Sequence, residues 1–192
     1  MLGYFLKVKN LLPYSCYKSF YDIPFDAFYE KLNKRALIID LDNTLIPYDM
    51  PVANNELADT FKKLIDKGYK IYIASNNHTT RVKIFVEDLN KRFGINLKYM
   101  ANSCKPFPKC FKWVLKDTSF SKKELLCIGD QLITDVLGST KMGIDTILVK
   151  PIKKKTEKWY TKINRHNEKI VLKKMHKKYP SIYKEIMTNH ED

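Results

Sequence analysis

Two carboxylates two residues apart, Asp40 and Asp42, directly follow the apolar run Ala36-Leu-Ile-Ile39. Side chains of an extended strand alternate between faces, so residues 40 and 42 point the same way just where the backbone leaves a buried strand. One carboxylate placed there can attack a phosphorus while its neighbour handles a proton, which is the chemistry of phosphoryl transfer. Three further groups follow: Ser75 and Asn76 after Tyr69-Lys-Ile-Tyr-Ile-Ala74, Lys105 in Lys105-Pro106, and Asp130 with Asp135 after Leu125-Leu-Cys-Ile128. Taken singly each is commonplace, since an Asp-x-Asp is usually a cap or turn, Ser-Asn-Asn a loop and Gly-Asp the end of a strand. Three of the four close an apolar run, and that shared placement favours chemistry over coincidence.

The elements that must position these groups can be read from periodicity. Apolar runs at 36–39, 69–74, 97–101, 125–128 and 146–149 alternate with stretches of helical period, which predicts an α/β fold with a mostly parallel sheet flanked by helices. Leu57, Phe61, Leu64 and Ile65 precede Gly68, and Val82, Phe85, Val86, Leu89 and Phe93 precede Gly94, each glycine standing where a helix ends. A third helix is expected over 106–116 and a fourth over 132–141, before Gly143. All four groups then lie at carboxyl ends of strands, where open α/β sheets place their ligands.

A chain of 192 residues can bury one good core. The expected division is an amphipathic N-terminal arm over 1–30, a core over 31–152, and a basic, helical C-terminal appendage over 153–192. The arm, with Tyr4, Phe5, Leu6, Leu11, Leu12, Tyr14 and Tyr17 among lysines, suits either an interfacial anchor or a segment folded back on the core. Residues 158–179, with Trp159, Ile163, Ile170, Val171, Leu172 and Met175 among lysines, pose the same choice, with a nucleic-acid contact as a third option.

The formal net charge is +14, and Lys150–Asp192 carries 13 Lys or Arg against 5 Asp or Glu, so much of the excess is concentrated there. Such a segment favours a polyanionic partner, an anionic membrane surface or a nucleic acid, although a merely solvated surface would look similar. No apolar run approaches the length of a membrane span, and the first residues lack the core and cleavage site of a secretory signal, so a cytoplasmic location is expected. Cys16, Cys104, Cys110 and Cys127 show no Cys-x-x-Cys spacing, which argues for reduced thiols rather than a zinc site or redox pair.

The pattern Asp40-x-Asp42-x-Thr44, followed in order by Ser75, Lys105 and Gly129-Asp130 with Asp135, resembles the motifs of the haloacid dehalogenase (HAD) superfamily, whose fold is Rossmann-like. The resemblance implies that Asp40 is the nucleophile, forming an aspartyl-phosphate, and that Asp42 protonates the leaving oxygen and then activates water. It implies Thr44, Ser75, Asn76 and Lys105 as phosphate-holding residues. An oxygen-lined site of this kind suits Mg²⁺, with the Asp40 carboxylate, the Asp42 main-chain carbonyl and Asp130 as ligands and Asp135 in support, ligating through water or orienting Lys105. His78 is expected to be a loop residue near the site. Dehalogenases of the superfamily lack a carboxylate at the Asp42 position, so a phosphatase is favoured. HAD enzymes usually insert a cap domain after the first or second motif, but residues 46–68 and 77–104 leave room for little more than a helix each. The fold is therefore expected to be capless, with a site open to large substrates.

Asp-Leu-Asp-Asn-Thr-Leu at 40–45, Ser-Asn-Asn at 75–77 with Arg81-Val82-Lys83, Gly-Asp-Gln-Leu-Ile-Thr-Asp-Val-Leu-Gly at 129–138 and Lys162-Ile-Asn-Arg165 resemble the YqeG-type, class IIIA HAD phosphatases. Eukaryotic relatives of that group are mitochondrial phosphatidylglycerophosphatases. The resemblance implies a phosphorylated lipid headgroup as substrate, with the protein peripheral on the inner membrane face. A phosphatase for nucleic-acid ends or soluble phosphomonoesters, and a non-catalytic basic RNA- or ribosome-binding module, stand as alternatives.

Overall fold

The computed structural model describes residues 6–153 and 159–190. Six parallel strands form one sheet in the order β1-β6-β5-β2-β3-β4: β1 (Ser15–Tyr17), β2 (Ala36–Ile39), β3 (Lys70–Ala74), β4 (Lys98–Met100), β5 (Leu125–Gly129) and β6 (Asp145–Val149). Strand order reverses beside β2, which leaves a crevice at the carboxyl ends of β2 and its neighbours. The fold is therefore the expected α/β, Rossmann-like arrangement.

The central strands read as unbroken apolar runs because both faces are covered. Leu37 and Ile39 of β2 pack on one side with Phe61 of α2 (Asn55–Asp66) and Phe85 of α3 (Thr79–Phe93), while Ala36 and Ile38 pack on the other with Phe111 and Val114 of α4 (Lys109–Asp117). α1 (Phe25–Glu30) adds Phe25 and Phe28 to the first side. α2 connects β2 to β3 and α3 connects β3 to β4, and neither connection holds a further domain.

β1 lies in the segment the sequence reading set apart as an arm over 1–30. Its register with β6 pairs Ser15 with Ile147 and Tyr17 with Val149, so the sheet extends into that segment. Val8, Leu11 and Cys16 are buried together with Leu148, Val171, Met175 and Ile186. Between residues 8 and 17 the chain thus folds back on the core, whereas Tyr4 and Phe5 lie outside the described residues. Val171 and Met175 belong to α6 (Trp159–Lys178) and Ile186 to α7 (Pro180–His190), so the basic C-terminal segment packs its apolar stripe on the β6 side of the sheet. Among the described residues no helix is long and apolar enough to cross a membrane.

The fourth helix departs from the expected form. Leu132–Val136 is a π-helical turn that runs into the short α5 (Leu137–Met142), which ends at Gly143 with φ 72°. That left-handed conformation costs glycine little and other residues more.

Candidate active site

The crevice gathers the groups expected from the sequence. Asp40 follows β2 directly, its N–H donating to Ile128 O at 2.9 Å and so extending the ladder by one residue. Asn43 then takes φ 66°, and the tight turn brings the Thr44 hydroxyl back to Asp40 Oδ2 at 3.3 Å. The same hydroxyl is 3.5 Å from Asp130 Oδ1, so one oxygen of each carboxylate faces a common point between the ends of β2 and β5.

Lys105 reaches in from the loop after β4. Its ammonium lies 2.7 Å from Asp40 Oδ1 and 2.7 Å from Asp135 Oδ1, and all three side chains are almost completely buried. Burial alone would push the lysine pKa down, but Asp135 and Asp40 override it and hold it above its ordinary value. Asp40 feels the opposite balance: burial raises its pKa well above the usual carboxylate range, Lys105 opposes this, and Asp135, Asp130 and Asp42 reinforce it. A cation between Asp40 and Asp130 would oppose that rise and favour the charged carboxylate.

Asp135 is fixed from the other side, its Oδ2 accepting from Gln131 N and the Thr134 hydroxyl at 3.1 Å each. Gly129 is required for this approach, because a Cβ there would stand 2.2 Å from the Asp135 carboxyl carbon.

Asp42 sits nearer solvent. Its Oδ1 accepts from Arg81 Nε at 3.2 Å, and its Oδ2 accepts from Asn77 Nδ2 at 3.0 Å and, weakly, from the Ser75 hydroxyl at 3.5 Å. Arg81 is in the first turn of α3, whose N-cap is His78: its ring nitrogen accepts from Arg81 N. His78 is thus an exposed helix cap beside the site.

Asn76 lines the cleft, and its side chain is engaged by the Lys105 loop. Its Oδ1 accepts from Lys105 N at 2.7 Å and from the Ser103 hydroxyl at 2.8 Å, and its Nδ2 donates to Lys105 O at 2.8 Å. It clamps the Lys105 loop, leaving Ser75 and the backbone around it at the crevice.

Several residues went unassigned in the sequence reading. α6 lies over the crevice: Thr161 and Asn164 line a polar cleft of 60 Å³ together with Asp40, Asp42, Ser75 and Gln131. One helical turn on, Arg165 pairs with the Asp130 carboxylate and donates to Asp130 O at 2.7 Å, and it also contacts Glu168 Oε2 at 3.3 Å. Glu168 Oε1 in turn accepts from Ile133 N at 3.1 Å. Positions 161, 164, 165 and 168 share one face of a helix, so a polar stripe at that spacing was the available signal.

Among the described residues no group of three His, Cys, Asp or Glu side chains converges on one point. The set that fits a cation is instead two carboxylates, Asp40 and Asp130, whose oxygens already meet at the Thr44 hydroxyl. An all-oxygen set of this kind matches a hard divalent ion such as Mg²⁺.

The model of the mitochondrial PGP phosphatase family matches residues 2–153. The chain is 36% identical over 170 residues to the probable phosphatase YqeG of Bacillus subtilis (strain 168), covering 88% of this chain and 94% of that protein. Among solved structures it is similar to the cobalt-bound deoxy-D-mannose-octulosonate 8-phosphate phosphatase of Haemophilus influenzae, with 18% identity, a TM-score of 0.48, and 69% of this chain and 75% of that one covered. It is also similar to a hypothetical protein from Xanthomonas campestris, with 15% identity, a TM-score of 0.48, and 82% and 91% covered.

Proposed function

The chain belongs to the mitochondrial PGP phosphatase family of HAD-type phosphatases, and from that premise we propose that it is a Mg²⁺-dependent phosphomonoester hydrolase that dephosphorylates phosphatidylglycerophosphate at a membrane surface. The observation that carries the reaction is the meeting of Asp40 with Lys105 and, through the Thr44 hydroxyl, with Asp130, beside a cleft lined by Asp40, Asp42 and Ser75.

In this reading an Asp40 carboxylate oxygen attacks phosphorus, the bond from phosphorus to the ester oxygen breaks, and Asp42 delivers a proton to the departing alkoxide. Asp42 then takes a proton from the water that attacks phosphorus of the aspartyl-phosphate, returning Asp40 and freeing phosphate. Lys105 holds the phosphoryl charge and orients Asp40, with Asp135 fixing the lysine from behind. Ser75 and the adjoining backbone N–H groups hold phosphoryl oxygens. The residues that would hold the metal are Asp40, Asp130 and the Asp42 carbonyl, and the metal supplies charge neutralisation between nucleophile and phosphate.

The lipid substrate is supported by the family to which the chain belongs and by the basic residues of α6 and α7, which suit an anionic bilayer surface. The test is phosphate release from phosphatidylglycerophosphate in anionic vesicles with Mg²⁺, with Asp40→Asn and a chelator as controls and with an aryl phosphate and a 5′-phosphorylated oligonucleotide alongside. Fast, chelator-sensitive and Asp40-dependent release from the lipid alone supports the reading. Faster release from the oligonucleotide would replace the lipid by a nucleic-acid end, and no release from any substrate would sink the hydrolase itself.

A further inference from the structure

The catalytic cleft has a volume of 60 Å³, about two water molecules' share of liquid. Its lining carries no Leu, Ile, Val or Met, so it suits a phosphoryl group better than hydrocarbon. A second cavity of 510 Å³ lies on the adjacent flank of α6, within the range of small-molecule sites. Its walls carry Leu132, Leu148, Leu172, Ile186 and Met187, contributed by the π-helical turn, β6, α6 and α7.

The two spaces flank the end of β5. Asp130 lines the large cavity and Gln131, the next residue, lines the cleft. α6 serves both, with Thr161 and Asn164 towards the cleft and Lys162, His166 and Lys169 towards the cavity. Spacing of four and three places those last three on one stripe, and all three are exposed to solvent. An apolar wall, with Lys162, His166 and Lys169 at the border and the lining carboxylates of Asp130 and Glu168 paired to Arg165, suits an anionic amphiphile.

We propose that the cavity between α6, α7 and the end of β6 is an acyl-chain subsite, taking the hydrocarbon of a lipid whose terminal phosphate enters the cleft. The proposal rests on the hydrolase reading above and adds to it where the chain lies. Lys162, His166 and Lys169 then face the anionic headgroup region, and hydrocarbon leaving water against Leu172, Ile186 and Met187 contributes affinity that a chainless ester lacks.

The test compares kcat/KM for the bare headgroup phosphate with its dihexanoyl and dioctanoyl forms, all kept below their micelle thresholds. In the wild type the ratio of chain-bearing to chainless kcat/KM should rise with length, by at most roughly fourfold for each methylene that leaves water. Leu172→Trp and Met187→Trp, which fill the cavity from different helices, should flatten that rise, with thermal unfolding measured to confirm that each variant folds. A wild type indifferent to chain length, or folded variants with the full wild-type slope, would overturn the subsite. A second arm needs neither variants nor turnover: the wild type is cross-linked to a phosphatidylglycerol carrying a diazirine on its acyl chain and the label is mapped. Label concentrated on Leu132, Leu148 and residues 159–190 supports the subsite even if no ester is hydrolysed, an outcome that would defeat the hydrolase reading separately. Label elsewhere, or spread evenly over the surface, refutes it.

Discussion

Arg81 closes on Asp42 with two nitrogens directed at the same carboxylate oxygen: Nε lies 3.2 Å and Nη2 3.1 Å from Oδ1. Arg81 Nη2 also donates to Pro47 O at 3.3 Å, which ties the loop after β2 to the start of α3. In the mechanism proposed above the general acid must be held at the leaving oxygen, and this pair fixes where Asp42 points. Arg81→Ala is expected to lower kcat for an alkyl phosphate by about 10- to 100-fold, below the full effect of acid–base catalysis. An aryl phosphate, whose leaving group needs less protonation, should suffer less. Equal losses for both esters would show that Arg81 does not act through Asp42.

Lys105 neutralises two buried carboxylates at once, so Lys105→Met removes activity and leaves Asp40 and Asp135 buried without their cation. Breaking a buried pair from one side costs about 3–5 kcal/mol. In a chain of this size that corresponds to a fall in Tm on the order of 10 °C. Adding Asp135→Asn to Lys105→Met should recover part of the stability and none of the turnover. Calorimetry of both variants checks this, and an unchanged Tm for Lys105→Met would contradict the burial argument.

Glu168 gives a pH signature to the docking of α6. Burial pushes its pKa up from 4.5 to about 7, while Arg165 and the N–H of Ile133 pull the other way. The folded chain therefore holds this proton where the unfolded chain has released it, and stability attributable to Glu168 is complete below pH 4.5 and is lost as pH rises to about 7. Glu168→Gln should remove that slope, gaining on the wild type across the same window. Urea unfolding at pH 4.5 and pH 7.5 measures the difference, and a slope of opposite sign would mean that the Arg165 pair outweighs burial.

Cysteine reactivity separates interior from surface. Cys16, Cys110 and Cys127 are buried and Cys104 is exposed. Burial raises all three interior thiols, Cys110 to about 11 and the others further, so the reactive thiolate is scarce at neutral pH. Iodoacetamide should modify Cys104 alone in the native protein and all four cysteines after unfolding. Mass spectrometry reads this directly, and prompt labelling of Cys127 would show that the β5 face opens.

The strands and the residues at their ends were legible because burial on both faces of the sheet leaves long apolar runs, and each run hands the chain to the crevice. β1 was not, since Ser15-Cys16-Tyr17 buries one side chain of three and resembles a loop. The partners of the carboxylates were hidden for a different reason. Arg81 and Arg165 stand 39 and 35 residues from the aspartates they hold, and local spacing carries no record of which charges meet. Periodicity likewise carries no sign that the Asn76 amide bonds the Lys105 loop.

The position of β1 bears on synthesis. Among the described residues it pairs only with β6, the last strand there, and Cys16 N donates to Glu185 of α7 across 169 residues. A ribosome making this chain releases the Ser15–Tyr17 segment early and its strand partner late. Until β6 is made, the backbone groups of that segment lack the strand they pair with in the finished sheet. Non-local pairing of this sort slows folding and lengthens exposure to other nascent chains. The sheet is thus closed from its two ends of sequence at once, and completion of the edge coincides with the arrival of the helices that cover it.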